Sequence, residues 1–92
     1  MAARLLRIEG RVQGVGYRDW LLREANRLGL HGWVRNRPDG SVQALVDGEE
    51  GADRALLTAC RRGPLMARVD RIEETLSEEA PDEPGFRWLP NG

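Results

Sequence analysis

The sequence lacks lysine entirely and contains one cysteine, Cys60, in 92 residues. Without lysine, a lysine nucleophile, a Schiff base and the lysine of a Walker-type phosphate loop are all excluded. A single cysteine can form neither an internal disulfide nor a multi-cysteine metal site. We therefore expect a fold stabilised by packing, in which arginine is the residue available for binding phosphate.

Long apolar runs are also absent, since none exceeds three residues. Neither a membrane-spanning segment nor the apolar core of a secretory signal fits such a sequence. We expect a cytoplasmic protein without a membrane partner. The length corresponds to one small domain, residues 1–92, because folded domains usually contain about 50 to 250 residues.

The formal net charge is −1, yet the two halves of the chain differ in sign. Residues 1–46 contain eight arginines and four acidic residues, whereas residues 47–92 contain six arginines and eleven acidic residues. Aromatic residues make up only 5% of the chain, and the acidic second half would repel a polyanion. These features argue against a nucleic-acid partner and favour a small anion bound by the first half.

Hydrophobic periodicity predicts seven elements along the chain. Strands are predicted over 4–12, 31–36, 41–46, 68–76 and 86–88, and helices over about 18–28 and 49–62. In the fourth strand, Val69 and Ile72 have opposite parity, which predicts a bulge or packing at the strand end. The element order predicts an α+β, ferredoxin-like split βαβ sandwich, with an antiparallel sheet of four to five strands and two helices on one face.

The stretch from Gly10 to Arg18 lies between the first strand and the first helix. Gly14 and Gly16 allow main-chain N–H groups to approach a ligand closely, and a helix N-terminus adds free donors and partial positive charge. Arg18 can place a planar fork of donors on two phosphate oxygens. The spacing therefore fits an anion-binding loop, although a glycine-containing turn with a surface arginine fits it equally well.

Other candidate groups for catalysis are weaker. The dinucleotide fingerprint fails because Asp19 stands where it needs its third glycine. Cys60 lies on the apolar face of the second helix, as expected of a core residue. His31, the only histidine, has no acidic neighbour in the sequence to orient it, so a surface or packing role is favoured over general-base catalysis.

Two sequence motifs resemble those of one known family. Gly10-Arg-Val-Gln-Gly-Val-Gly-Tyr-Arg18 is similar to the first signature of the acylphosphatases. Gly32-Trp-Val-Arg-Asn36, followed by Asp39-Gly-Ser-Val42, is similar to the second. The resemblance extends from about residue 6 to residue 73 and becomes loose over the last twenty residues.

This resemblance implies the hydrolysis of acyl phosphates to carboxylate and inorganic phosphate by a monomer, without metal or cofactor. It implies that Arg18 is the catalytic phosphate-binding arginine and that Asn36 holds the attacking water. Inorganic phosphate or sulfate is expected to bind as product or inhibitor. The phosphate-binding residues would be Gln13, Gly14, Val15, Gly16, Tyr17 and Arg18, acting largely through main-chain amides. Tyr17 stands where the family often has phenylalanine.

The chemistry of the residues agrees with this implication. A guanidinium and several fixed N–H groups can stabilise the charge on a phosphoryl group in transfer, and a carboxamide can orient water. Asn36 is also a common residue type ahead of a turn such as Pro38-Asp-Gly40. Two alternatives therefore remain: a non-catalytic anion-binding or regulatory domain of the same fold, and a module of a larger maturation enzyme, which the short length disfavours.

Overall fold

A computed structural model describes residues 3–92 as a five-stranded sheet with two helices. The strand order across the sheet is β4-β1-β3-β2-β5. In chain order the elements are β1 (Ala3–Arg11), α1 (Tyr17–Arg27), β2 (His31–Asn36), β3 (Val42–Asp47), α2 (Glu50–Arg62), β4 (Arg68–Ser77) and β5 (Phe86–Trp88). All seven elements lie within one residue of the predicted bounds.

Both helices bury their apolar stripes in one cluster with the inward residues of the sheet. Leu21 of α1, Leu56 of α2 and Ile8 of β1 are each fully buried there. Burial of one such side chain contributes about 1.5–3 kcal/mol. A shared cluster places the two helices on the same face of the sheet, as the split βαβ pattern predicts. Within residues 3–92, no helix is long and apolar enough to cross a membrane.

The four strands β4, β1, β3 and β2 pair antiparallel, as predicted. The fifth pair differs, because β5 runs parallel to β2 with Gly32 opposite Phe86 and Val34 opposite Trp88. A purely antiparallel sheet was therefore the wrong expectation for this last strand. The strand β4 ends at the end of the sheet where β2 begins, and residues 78–85 connect it to the opposite edge. The strand β5 therefore starts at the same end as β2 and runs parallel to it.

The predicted irregularity in β4 is a bulge next to Gly10. Ile8 pairs with Ile72 and Gly10 pairs with Val69, so β4 has one extra residue in this stretch. The extra residue brings Val69 and Ile72 to the same face, where both pack against the core. A Cβ on Gly10 would lie 2.2 Å from the Arg68 carbonyl oxygen, so only glycine fits opposite the bulge.

Candidate active site

The loop between β1 and α1 is shaped by two glycines in the left-handed region. Gly14 has φ 75° and Gly16 has φ 79°. A Cβ on either would meet nothing within 4 Å, so the backbone conformation and not space requires glycine here. Gly16 is the N-cap of α1, and its carbonyl oxygen accepts the first helical hydrogen bond from Trp20 N–H at 3.0 Å.

This arrangement leaves the N–H groups of the first helical residues without an intrahelical acceptor. Tyr17, Arg18 and Asp19 are the residues concerned. Their N–H groups, together with the partial positive charge of the helix N-terminus, form a site that suits an anion. The sequence-based prediction of an anion-binding loop is consistent with this geometry.

A pocket of about 210 Å³ opens at this loop and extends to the end of β2. It brings the two predicted catalytic residues, Arg18 and Asn36, together at one site. The pocket is lined by Val12, Gln13, Gly14, Gly16, Tyr17, Arg18, Asp19 and Asn36. Val15 is the predicted phosphate-binding residue that does not line it, and its side chain packs partly buried against the core.

Gln13 connects the loop to the turn that follows Asn36. Its side-chain Nε2 donates to the carbonyl oxygens of Arg37 and Ser41, both at 2.8 Å. The carboxamide of Gln13 is thereby fully engaged as a donor and not directed at a ligand. Its predicted part in phosphate binding is therefore limited to the main chain, while the side chain maintains the position of the turn relative to the loop.

The same turn is stabilised by the carboxylate of Asp39. Its Oδ1 accepts hydrogen bonds from Ser41 N–H at 2.9 Å and from the Ser41 hydroxyl at 2.6 Å. These bonds, with a smaller contribution from Arg7, lower the pKa of the Asp39 carboxyl. Both bonds close the chain just beyond Asn36 and so help to determine where that side chain lies.

The side chain of Arg18 is held from outside the pocket. Its Nη1 donates to Asn91 Oδ1 at 2.8 Å, and its Cζ lies 4.5 Å from the centre of the Trp88 ring. Neither partner is a carboxylate, so at these two contacts no anionic group of the protein competes with a ligand for the guanidinium. Most of its five N–H donors remain available for a ligand.

Asn36 lies at the end of β2 with its side-chain oxygen turned inward. Its Oδ1 is buried and has no hydrogen-bond partner within residues 3–92. A buried acceptor without a partner costs about 1–3 kcal/mol. Asn36 also lines the pocket, so a small rotation of its carboxamide would bring this acceptor within reach of a water molecule there.

Comparison with known proteins identifies the family. A profile of the acylphosphatase family matches residues 5–88. The acylphosphatase of Rhodospirillum rubrum is 54% identical over 91 residues, which make up 99% of each chain. The acylphosphatase of Acidiphilium cryptum is 57% identical over 86 residues, covering 94% of this chain and 93% of that one. The chain belongs to the acylphosphatase family.

The fold agrees with a solved acylphosphatase. The crystal structure of the Bacillus subtilis acylphosphatase superposes with a TM-score of 0.90 at 35% identity, covering 97% of this chain and 99% of that one. The predicted ferredoxin-like fold and acylphosphatase activity are both confirmed. The chain is therefore an enzyme, and its substrates are small-molecule acyl phosphates.

Tyr17 has a structural role in this acylphosphatase that the sequence did not suggest. Its side chain is 1% exposed, and its hydroxyl donates to the Cys60 carbonyl oxygen at 2.7 Å. In a continuous helix this oxygen would accept from residue 64, but Pro64 has no N–H. The tyrosine hydroxyl thus replaces a missing helical donor, and burial raises the pKa of Tyr17 far above its usual range.

Cys60 and His31, the other candidate residues, lie in the core and at the surface, as the sequence predicts. Cys60 is fully buried in the core, and burial raises the pKa of its thiol to about 12. His31 is exposed outside the pocket, where its Nδ1 accepts a hydrogen bond from Gly85 N–H at 2.7 Å. Among residues 3–92, no group of three or more His, Cys, Asp or Glu side chains is placed to hold a metal ion.

Sequence reasoning missed the partners of Arg18. Trp88 lies in the predicted strand 86–88, where a packing role is expected, and Asn91 belongs to no recognised motif. Both lie about seventy residues from Arg18 along the chain, in the stretch where the resemblance to the family is loosest. The only available signal was an aromatic residue in the last strand, and that type of residue fits packing equally well.

Proposed function

We propose that this acylphosphatase binds the phosphate of its substrate between the Arg18 guanidinium and the main-chain amides of the loop, while Asn36 orients the attacking water. The observation that carries the proposal is that Arg18 and Asn36 line the same pocket, and that Asn36 Oδ1 has no hydrogen-bond partner within residues 3–92. A water molecule that donates to this oxygen relieves its burial cost and is held in one orientation.

Phosphate recognition rests on complementary charge. The substrate headgroup is an anion, and the guanidinium of Arg18 can donate to two of its oxygens at once. The amides of the loop and of the first helical turn supply further donors without a change of conformation. The phosphate-binding residues are Gln13, Gly14, Val15, Gly16, Tyr17 and Arg18. Inorganic phosphate or sulfate would bind at the same residues, as product or inhibitor.

The chemical step is a transfer of the phosphoryl group to water. A bond forms between the water oxygen and phosphorus as the bond from phosphorus to the acyl oxygen breaks. The electron pair of that bond leaves with the carboxylate, and the proton of the water passes to a phosphate oxygen. Arg18 and the fixed N–H groups stabilise the charge on the equatorial oxygens. A carboxylate leaves readily, so neither a strong general acid nor a metal or cofactor is required.

Asp19 offers the obvious alternative proton acceptor, since it is the carboxylate residue among those that line the pocket. It is exposed in the first turn of α1. If the substrate itself takes the proton, Asp19→Asn retains kcat and the pH–rate profile of the wild type. A variant that loses kcat about 100-fold would instead identify Asp19 as a general base.

Phosphate release from acetyl phosphate or benzoyl phosphate in excess EDTA tests the whole proposal. Arg18→Ala should lower kcat/KM by about 100-fold or more, and Arg18→Lys should recover part of it because the charge remains without the fork. Asn36→Ala should lower kcat strongly with a smaller change in KM. Arg23→Ala removes an exposed arginine from the same helix and serves as the matched control.

Each component of the proposal can fail separately. Full activity of Asn36→Ala would exclude the water-orienting role, and loss of turnover in EDTA would exclude a metal-independent reaction. A protein that binds phosphate but releases none from either substrate would be an anion-binding or regulatory domain.

We also propose that residues 1–92 act as a single monomeric domain in the cytoplasm, without nucleic-acid or membrane partners. The opposite net charges of the two halves and the scarcity of aromatic residues support the absence of a nucleic-acid partner. Light scattering coupled to gel filtration and fractionation of cells test the oligomeric state and the location.

A further inference from the structure

The last residues of the described chain, Phe86 to Gly92, begin with β5 and form a C-terminal tail along the outer side of β2. Leu89 N–H donates to the Val34 carbonyl oxygen at 2.9 Å, and Gly92 N–H donates to the Asn36 carbonyl oxygen at 3.1 Å. The tail thus continues the parallel pairing of β5 up to the residue that would orient the water.

The start of this segment is firmly attached. Phe86 is 6% exposed, and its N–H and carbonyl groups exchange hydrogen bonds with the side chain of Asn26 on α1, both at 3.3 Å. Two residues later, Trp88 lies with its ring against the Arg18 guanidinium. The tail is therefore fixed at Phe86 and again at Gly92, on either side of its two contacts with Arg18.

These two contacts restrain the arginine in different ways. The ring of Trp88 limits the guanidinium to one side, and the side-chain Oδ1 of Asn91 sets its rotation by accepting from Nη1. An arginine side chain loses considerable rotamer entropy when a ligand immobilises it. A group that is already held in the binding conformation avoids much of this loss at the binding step.

We propose that Trp88 and Asn91 are positioning residues that hold Arg18 ready for the phosphate group. This inference rests on the proposed role of Arg18 in phosphate binding. Both residues act through Arg18 and need not touch the substrate. Uncharged partners suit this purpose, because a carboxylate in the place of Asn91 would hold the guanidinium while competing with phosphate for its charge.

The test compares Asn91→Ala and Trp88→Ala with the wild type in acetyl phosphate hydrolysis and in inhibition by inorganic phosphate. Each variant should raise KM and the inhibition constant of phosphate together, by about three- to thirtyfold, with a smaller effect on kcat. Asn91→Gln and Trp88→Phe should restore most of the loss. Asn91→Asp should bind phosphate more weakly than Asn91→Ala at low salt.

The matched control is Arg87→Ala. Arg87 is an exposed residue of β5 that lies between Phe86 and Trp88, and its Nη1 pairs with Glu83 at 3.0 Å. Asn91 is exposed, so its variants should fold even if Trp88→Ala weakens β5. A second readout is the NMR signal of the Arg18 Nε–H group, which the ring current of Trp88 should shift. A change of that shift in Asn91→Ala, which keeps the Trp88 ring, with the backbone spectrum of the helix unchanged, is the expected signature of positioning.

The outcomes separate this inference from the proposed function. If Arg18→Ala is inactive but the Asn91 and Trp88 variants keep wild-type KM and phosphate inhibition, the positioning role is refuted and the phosphate role of Arg18 stands. If Arg18→Ala itself retains full activity, the proposed function is refuted. A fall in kcat with unchanged KM and unchanged phosphate inhibition would also contradict positioning for binding.

Discussion

Replacement of Tyr17 by phenylalanine should destabilise the enzyme without reducing its activity. The ring stays in the core, 5.3 Å from the ring of Trp20, while the hydroxyl that donates to Cys60 is lost. Pro64 cannot supply the missing donor, so a buried carbonyl oxygen is left without a partner. The loss of such a bond costs about 1–3 kcal/mol.

This cost converts into a measurable change in thermal stability. For a domain of this size, 1 kcal/mol corresponds to a shift in Tm of about 4–8 °C. We therefore expect Tyr17→Phe to melt about 5–20 °C below the wild type near neutral pH. The kcat and the inhibition by inorganic phosphate should be unchanged at 25 °C, because only the main chain of Tyr17 faces the anion site.

The pH dependence gives a second, independent readout. Burial raises the pKa of Tyr17 in the folded protein, whereas the unfolded chain ionises near pH 10. Because the pKa is raised in the folded state, the stabilisation that the Tyr17 hydroxyl gives to the fold is complete below about pH 10 and is lost as the pH rises further. The difference in unfolding free energy between wild type and Tyr17→Phe should thus shrink above pH 10.

Chemical denaturation followed by circular dichroism measures this difference across the pH range. The thiol of Cys60 also has a raised pKa, and the Tyr17 hydroxyl lowers that pKa in part, so the comparison is made in a Cys60→Ala background. Equal unfolding free energies at pH 7 would refute the assignment of the hydroxyl as the donor to Cys60. A difference in unfolding free energy that stays constant from pH 7 to 12 would refute the raised pKa of Tyr17 in the folded protein.

Three further outcomes are expected. Gln13→Ala breaks both hydrogen bonds to the turn. It should lower kcat about tenfold or more, because Asn36 at the start of the turn is displaced. An unchanged kcat would show that the turn keeps its position without Gln13. The hydrogen bonds from Ser41 lower the pKa of Asp39 in the folded protein. The stabilisation that they give to the fold is therefore present above about pH 4, the pKa of an unfolded Asp, and is lost as the pH falls through the lower pKa of the folded state. Acid titration of the unfolding free energy should show this loss in the wild type and not in Asp39→Asn. Cys60 should resist thiol alkylation at pH 8 until denaturant is added, and rapid labelling of the folded protein would contradict its burial.

The sequence predicted the helices and strands well because most of them bury one face in the core. The strand β3 is an exception, since Leu45 is buried on the face opposite to Ala44 and Val46. The period of the buried residues then marks both the type of element and its ends. The opposite parity of Val69 and Ile72 predicted either a bulge or packing at the strand end, and the structure contains the bulge. The direction of β5 was not predicted correctly. Three residues give no sequence signal for the direction of the strand that they pair with, and the path of residues 78–85 determines it.

The candidate site could be predicted only in part. Arg18 and Asn36 lie within short motifs, so their resemblance to a family could be recognised locally. The hydroxyl of Tyr17 acquires its role from a carbonyl group on another helix. Trp88 and Asn91 reach Arg18 only because the sheet brings the end of the chain to the start of α1, and such contacts leave no periodic signal.

The strand β4 forms an outer border of the sheet, and its composition bears on how the enzyme behaves at high concentration. An unpaired strand edge can accept a strand from another molecule and so initiate aggregation. Here the border carries opposite charges in close succession, with Arg68 beside Asp70 at 3.2 Å and Arg71 beside Glu73 at 3.6 Å. The bulge near Asp70 also interrupts the regular row of backbone groups. An incoming strand would therefore have to strip water from these ions and match an irregular template, which protects crowded solutions of the folded enzyme from fibril formation.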